Sequence, residues 1–248
     1  MSQKKFLPAI LFLVLAAGTT TAQTFPSEAR SEASSETQTM PAIERGNRSF
    51  AKADYDSALR EYRSVPRDSE SYAKALYNIG VCYYELWRTA EAIEYYREAL
   101  TVRHGRYPRA SFALGVALED QGRPAEAKEA YKQSIIMSHG EYPVALFQLG
   151  LLVASDGDYE AAATCFRKAI ARAGDHVPAS HNNLGVMLAF QGRLAEAEGE
   201  FEIALRQTGG SFDDAAHNLR LCRTLLTTPT KDQIATLQIA RMIERTLR

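Results

Sequence analysis

The hydrophobic pattern of this chain repeats. Gly80, Gly115, Gly150 and Gly185 stand 35 residues apart, in the contexts YNIGVCYYE, FALGVALED, FQLGLLVAS and NNLGVMLAF. Twelve residues after each glycine comes alanine (Ala92, Ala127, Ala162, Ala197), and sixteen after it an aromatic ring (Tyr96, Tyr131, Phe166, Phe201). Nineteen after it stands Ala99, Ser134, Ala169 or Ala204. Columns of this kind describe one supersecondary unit that cannot bury its own apolar face and stacks on copies of itself. Small residues mark close backbone approach, and rings fill the space between layers.

Each period predicts two helices. The first carries the glycine and an apolar stripe at helical spacing, as in Leu146, Leu149, Leu152 and Val153. Gly122, Gly157 and Gly192 follow at a place suited to the left-handed conformation that closes a helix. Trp87 takes that place after Gly80, which predicts a differently closed turn there. The second helix is acidic at its start and basic near its end, as from Glu126 to Lys132 or Glu160 to Lys168, the order the helix dipole favours. It stops at His104-Gly105, His139-Gly140, Gly174-Asp175 or Gly209-Gly210, and Pro108, Pro143 and Pro178 open the next first helix.

These columns resemble the tetratricopeptide repeat. The small-large-small signature of that family is matched at Leu76, Ile79, Gly80, Tyr83, Ala92, Tyr96 and Ala99, with mild departures such as Ser111 and Ser134. The resemblance implies an all-α, right-handed solenoid of helix-turn-helix repeats, at about 40–72, 73–107, 108–142, 143–177 and 178–212, with a partial repeat at 213–227. The step is one residue longer than the usual 34 of the family. In the first repeat Gly46, Ala58 and Tyr62 keep the columns, while Arg45 replaces the Ile or Leu of later repeats, as a solvent-facing terminal repeat tolerates. Its GNRSFAKADYDSALREY run resembles the opening repeat of tetratricopeptide proteins of bacterial cell envelopes.

Three segments flank the array. Residues 1–22 have two lysines, an apolar run from Phe6 to Ala17 and small residues ending at Ala22, the layout of a secretory signal peptide cleaved after Ala22. The alternative is an uncleaved membrane anchor, although the apolar run is shorter than the roughly 20 residues a span needs. Export to the periplasm or the exterior is the expectation. Residues 23–39 are Ser, Thr and Glu with almost no large apolar residue, and read as a flexible tether. In 228–248, Ile234, Leu237, Ile239, Met242, Ile243 and Leu247 predict an amphipathic helix over 231–247 that caps the last hydrophobic face or docks on a partner.

Composition changes little. The chain is 46% hydrophobic and 24% charged with a formal charge of −1, consistent with a soluble protein that has a real core and no pull toward nucleic acid. His104 and His139 recur at equivalent loop ends, and no carboxylate or thiol column accompanies them, so no metal site is expected. Cys82, Cys165 and Cys222 lie in different repeats and read as buried small hydrophobes. No nucleophile elbow, zinc-protease, P-loop or dinucleotide motif is present, and no catalysis or cofactor is expected.

The resemblance places the working surface on the first helices, which line a concave groove in tetratricopeptide arrays. The residues flanking the column glycine would face it: Tyr77, Phe112, Phe147 and Asn182; Asn78, Gln148, Asn183 and Asn218; Val81, Val116, Leu151 and Val186. Spaced side-chain amides suit the N–H and C=O groups of an extended peptide, as in the asparagine ladder of some peptide-binding members, here broken at Ala113. The other reading is that the rings pack against the neighbouring helix and the amides serve local structure. Lys74 and Arg109 would make one end basic. With Asn47 and Asn78 they resemble part of the carboxylate clamp that holds chaperone C-termini, but Ile43 and Ala113 stand where that clamp has cations, so it is not adopted. The expected function is binding of a peptide or helix of an envelope protein. Self-assembly through the terminal helix and glycan recognition through Tyr77, Phe112 and Phe147 are the alternatives.

Overall fold

A computed structural model describes residues 41–174, 176–227 and 237–239. The expected leader and tether and most of the C-terminal segment lie outside the described residues. Among those described, every regular element is a helix. The helices are α1 (Ala42–Phe50), α2 (Tyr55–Arg63), α3 (Tyr72–Glu85), α4 (Thr89–Val102), α5 (Pro108–Asp120), α6 (Pro124–Met137), α7 (Pro143–Ser155), α8 (Tyr159–Ala173), α9 (Pro178–Phe190), α10 (Leu194–Gln207) and α11 (Asp213–Thr227). They pair as the columns predict, α1 with α2 through α9 with α10, and α11 is a further first helix of the α-solenoid with no second helix among the described residues. The described residues fall into two compact units, 41–106 with α1–α4 and 107–239 with α5–α11.

Each pair is closed by its ring seated on its glycine. A methyl group built at Gly46, Gly80 or Gly115 would lie 2.3, 2.5 or 2.5 Å from a ring carbon of Tyr62, Tyr96 or Tyr131 of the same repeat. At Gly150 and Gly185 the ring is Phe166 or Phe201, at 2.9 and 2.7 Å. No side chain fits where the ring sits, which is why the column is glycine although glycine costs a helix interior about 1 kcal/mol. The alanines that follow at the second column, Ala92, Ala127, Ala162 and Ala197, are fully buried, as close helix contact requires. Ser134 stands in for alanine without an orphaned hydroxyl, because its Oγ donates to the carbonyl of Pro108 at 2.9 Å. Arg45 is held by an ion pair with Glu61 on α2, at 2.7 Å.

The turns inside the repeats are all alike, and the expectation for Trp87 is corrected. Its φ is +60°, in the same left-handed region as Gly122, Gly157 and Gly192 at +71°, +85° and +78°. The following N–H makes the same bond in each case: Arg88 to the Tyr83 carbonyl at 2.8 Å, Arg123 to Leu118 at 2.9 Å, and Arg193 to Leu188 at 2.9 Å. Ala53 does the same at φ +57°. The turn needs that backbone conformation, and here an exposed tryptophan and an exposed alanine adopt it at a cost glycine would avoid. His104 and His139, at φ +50° and +53°, share the same requirement at the ends of α4 and α6, so their recurrence belongs to the backbone.

Second helices begin in two ways. Asp54 and Asp158 cap α2 and α8, their carboxylates accepting from the N–H of Ser57 and Ala161 at 3.1 and 3.0 Å. Before α4, α6 and α10 an arginine stands at the cap and pairs with the glutamate three residues on: Arg88 with Glu91, Arg123 with Glu126, Arg193 with Glu196. These pairs are solvent-exposed and add little to stability.

Candidate functional site

The rings expected to line a groove are interior. Phe147 is fully buried, and Phe112 and Tyr77 are 4% and 6% exposed. Each packs on the ring seated on its own glycine: Tyr77 on Tyr96 at 5.9 Å between centroids, Phe112 on Tyr131 at 5.7 Å, Phe147 on Phe166 at 5.5 Å. A residue three before the glycine is one helical turn back on the same face, so it meets the same partner. The packing alternative holds for these three, and glycan recognition through their faces loses its basis. Val116 and Val186 are buried as well, while Val81, Gln148 and Leu151 are half-buried.

The cations stay at the surface. Lys74 is exposed on α3 of the first unit. Arg109 is exposed at the start of α5, where it hydrogen-bonds Tyr142; burial raises the phenol pKa and the guanidinium opposes that rise. In the first unit the half-buried Asn78 donates to Asn47 Oδ1 at 3.2 Å, and the Tyr62 hydroxyl donates to the same oxygen at 2.8 Å. Those amides are spent on one another and on a core tyrosine.

The second unit is different. Asn182 and Asn183 on α9 and Asn218 on α11 are fully buried. Asn218 Nδ2 donates to Asn182 Oδ1 at 2.9 Å, and Asn182 Nδ2 donates to Asn183 Oδ1 at 3.1 Å. The chain's own Gln238 completes the set: its carbonyl accepts from Asn218 Nδ2 at 2.7 Å and from Asn182 Nδ2 at 3.1 Å, and its N–H donates to Asn218 Oδ1 at 2.8 Å. One asparagine side chain therefore holds both the N–H and the C=O of a single residue, as a neighbouring strand would. Beside these bonds Leu237 is buried in the cluster that contains Val186, Met187, Leu219 and Cys222.

This geometry corrects the helix expected over 231–247 at its centre, where Leu237, Gln238 and Ile239 are not helical. In a helix the N–H and C=O of one residue point in opposite directions along the axis and bond along the chain. Asn218 requires them on one side. The rest of that expected helix lies outside the described residues. The apolar spacing was a real signal for burial of Leu237, but Thr236-Leu237-Gln238-Ile239 also alternates polar and apolar, a strand-like signal the helical reading passed over.

The hold on Leu237–Ile239 among the described residues is modest. Burying Leu237 contributes about 2 kcal/mol, and three hydrogen bonds about 1 kcal/mol each. Ordering three backbone residues costs about 1 to 2 kcal/mol apiece. For these three residues alone the difference is on the order of 1 kcal/mol.

Burial mutes the thiols. Burial pushes Cys82 up to about 12 and Cys222 up to about 11, and also raises Cys165. Cys222 Sγ donates to the Leu194 carbonyl at 3.2 Å. Next to Asn182, His181 Nδ1 lies 2.7 Å from Glu200 Oε2. Among the described residues no group of three His, Cys, Asp or Glu could hold a metal ion.

The fold has known counterparts. Family models described as tetratricopeptide repeat match residues 73–105, 108–135 and 147–212. Among solved structures, the crystal structure of MamA superposes with a TM-score of 0.59 at 23% identity, over 66% of this chain and 94% of that one. YrrB, described as a tetratricopeptide repeat protein with an unusual peptide-binding site, gives 0.58 at 20% identity, over 77% and 97%. The C-terminal part of a tetratricopeptide repeat protein from Cytophaga hutchinsonii gives 0.61 at 16% identity, over 78% and 74%. No curated protein matches. With the glycine, alanine and ring columns in their places, the helix pairs closed as the columns require and three separate matches along the array, this chain belongs to the tetratricopeptide repeat family.

Proposed function

We propose that this protein is a non-catalytic binding module of the cell envelope that takes an extended segment of another protein along the first helices of its second unit. Tetratricopeptide arrays serve protein–protein interaction, and the one observation that carries the finer reading is the amide set Asn182–Asn218, fully buried and bonded to a peptide main chain. Buried amides that read N–H and C=O accept many side-chain sequences, with selectivity left to neighbouring apolar contacts. The leader-like residues 1–22 and the tether at 23–39 support an exported setting. Leu151 and Gln148 on α7, both half-buried, continue the same flank of the first helices.

The test is capture from envelope extract on the full chain, beside a variant carrying Asn182→Leu and Asn218→Leu, after circular dichroism shows equal helix content. Leucine keeps the branched shape and removes the amide groups of both residues. A protein identified by mass spectrometry on the parent and absent from the variant supports the reading. Equal retention by both removes the site from α9 and α11.

A further inference from the structure

The geometry points to residues Leu237–Ile239 as a built-in ligand of the Asn182–Asn218 site, one that any incoming peptide must displace. This rests on the proposed peptide-binding role and adds who occupies the site at rest. The occupant is on the page: both main-chain polar groups of Gln238 are satisfied by α9 and α11 side chains, and Leu237 is 8% exposed in the adjoining cluster. Asn218 and Asn182 are fully buried with the strand in place. Without it, Asn218 Oδ1 would lose the N–H that donates to it, and the Asn218 and Asn182 amide groups would keep only their bonds within the asparagine set, so the site is built around a main chain rather than around a side chain.

Nine residues separate the end of α11 at Thr227 from Leu237, so the ligand is carried by the chain it occupies. Tethering raises its local concentration without tightening any contact. Among the described residues, the segment is held by the Gln238 main chain and the Leu237 side chain, and a partner with more apolar contacts can replace that hold. The ligand class that fits is therefore an extended peptide with a free N–H at the central residue and a buried aliphatic side chain just before it.

The experiment uses the full chain and a fluorescein-labelled synthetic peptide spanning 232–244 of this sequence, read by fluorescence polarisation. Gln238→Pro removes the N–H that Asn218 accepts, and Leu237→Asp removes the buried side chain by a separate route. Both tail variants are expected to bind the peptide about five- to tenfold more tightly than the parent, because their site is empty. Asn218→Leu is expected to bind it at least tenfold more weakly than either. Equal affinity of parent and both tail variants, within twofold, overturns the built-in ligand, and so does unchanged binding by Asn218→Leu or no binding by any form. These outcomes are independent of the extract: a partner captured through Asn182 and Asn218 alongside equal peptide affinities would keep the binding role and discard the resident strand. The converse pattern would discard the envelope partner alone.

Discussion

Two glycines inside helices should respond to the same substitution with opposite signs. Gly115 in α5 and Gly199 in α10 both gain about 1 kcal/mol of helix propensity when changed to alanine. At Gly199 nothing lies within 4 Å of the added methyl, so Gly199→Ala is expected to stabilise by about 0.5 to 1 kcal/mol. At Gly115 the methyl would sit 2.5 Å from Tyr131 Cε1 and 2.6 Å from Cδ1. The ring has nowhere to go: Tyr131 is fully buried and its hydroxyl donates to Glu119 Oε2 at 3.0 Å. Overpacking of a tight core costs about 1 to 3 kcal/mol and more where the backbone must shift. Gly115→Ala is therefore expected to destabilise by about 1 to 2 kcal/mol net. Urea denaturation followed by circular dichroism measures both, as shifts in midpoint at constant slope. A double variant isolates the cause, since Gly115→Ala made on a Tyr131→Leu background should lose most of its penalty. Gly115→Ala at or above parental stability, with Gly199→Ala behaving as stated, would refute the seat of the ring on the glycine.

Two further outcomes follow from the turns and caps. Trp87→Gly and Ala53→Gly should each raise stability by about 0.5 to 1 kcal/mol, since relief of roughly 1 to 2 kcal/mol of left-handed strain exceeds the roughly 0.5 to 1 kcal/mol entropy cost of glycine; a lowered melting temperature for both would contradict that. The Asp54 carboxylate has its pKa lowered by its hydrogen bonds from Ser57, so its contribution is complete above the unfolded value near about 4 and fades as pH falls through the lower folded value. The stability gap between parent and Asp54→Ala, measured by denaturation at pH 7 and again at pH 2.5, should shrink at the lower pH, and an unchanged gap would mean the carboxylate charge plays no part in the cap.

Much of the fold could be read from the columns because the columns are contacts. Glycine and the ring sixteen residues on touch in every pair, so the step in the sequence is the step in space. Periodicity was blind in two places. It could not say that Trp87 would take a left-handed backbone, because a turn's demand falls on φ and the side chain there is in solvent. Nor could it see that two buried amides would claim the main chain of Gln238, because a hydrophobic pattern counts side chains and ignores the N–H and C=O of the strand. The candidate site was half legible for a related reason. Asn182, Asn183 and Asn218 stand out as amides among apolar neighbours, whereas Tyr77, Phe112 and Phe147, in the same column as Asn182, pack as rings on the ring seated on the glycine.

The ring on the glycine also governs how such a chain can grow. Tyr131 and Gly115 belong to one repeat, as do Phe166 and Gly150, and Ser134 reaches Pro108 of its own repeat. The tightest steric demands are thus met before a neighbour arrives. A gene segment encoding one 35-residue step, copied in frame between Tyr142 and Pro143, would bring its own lock and its own key. Array length is therefore open to change by duplication, while α11 and the segment it holds must stay together.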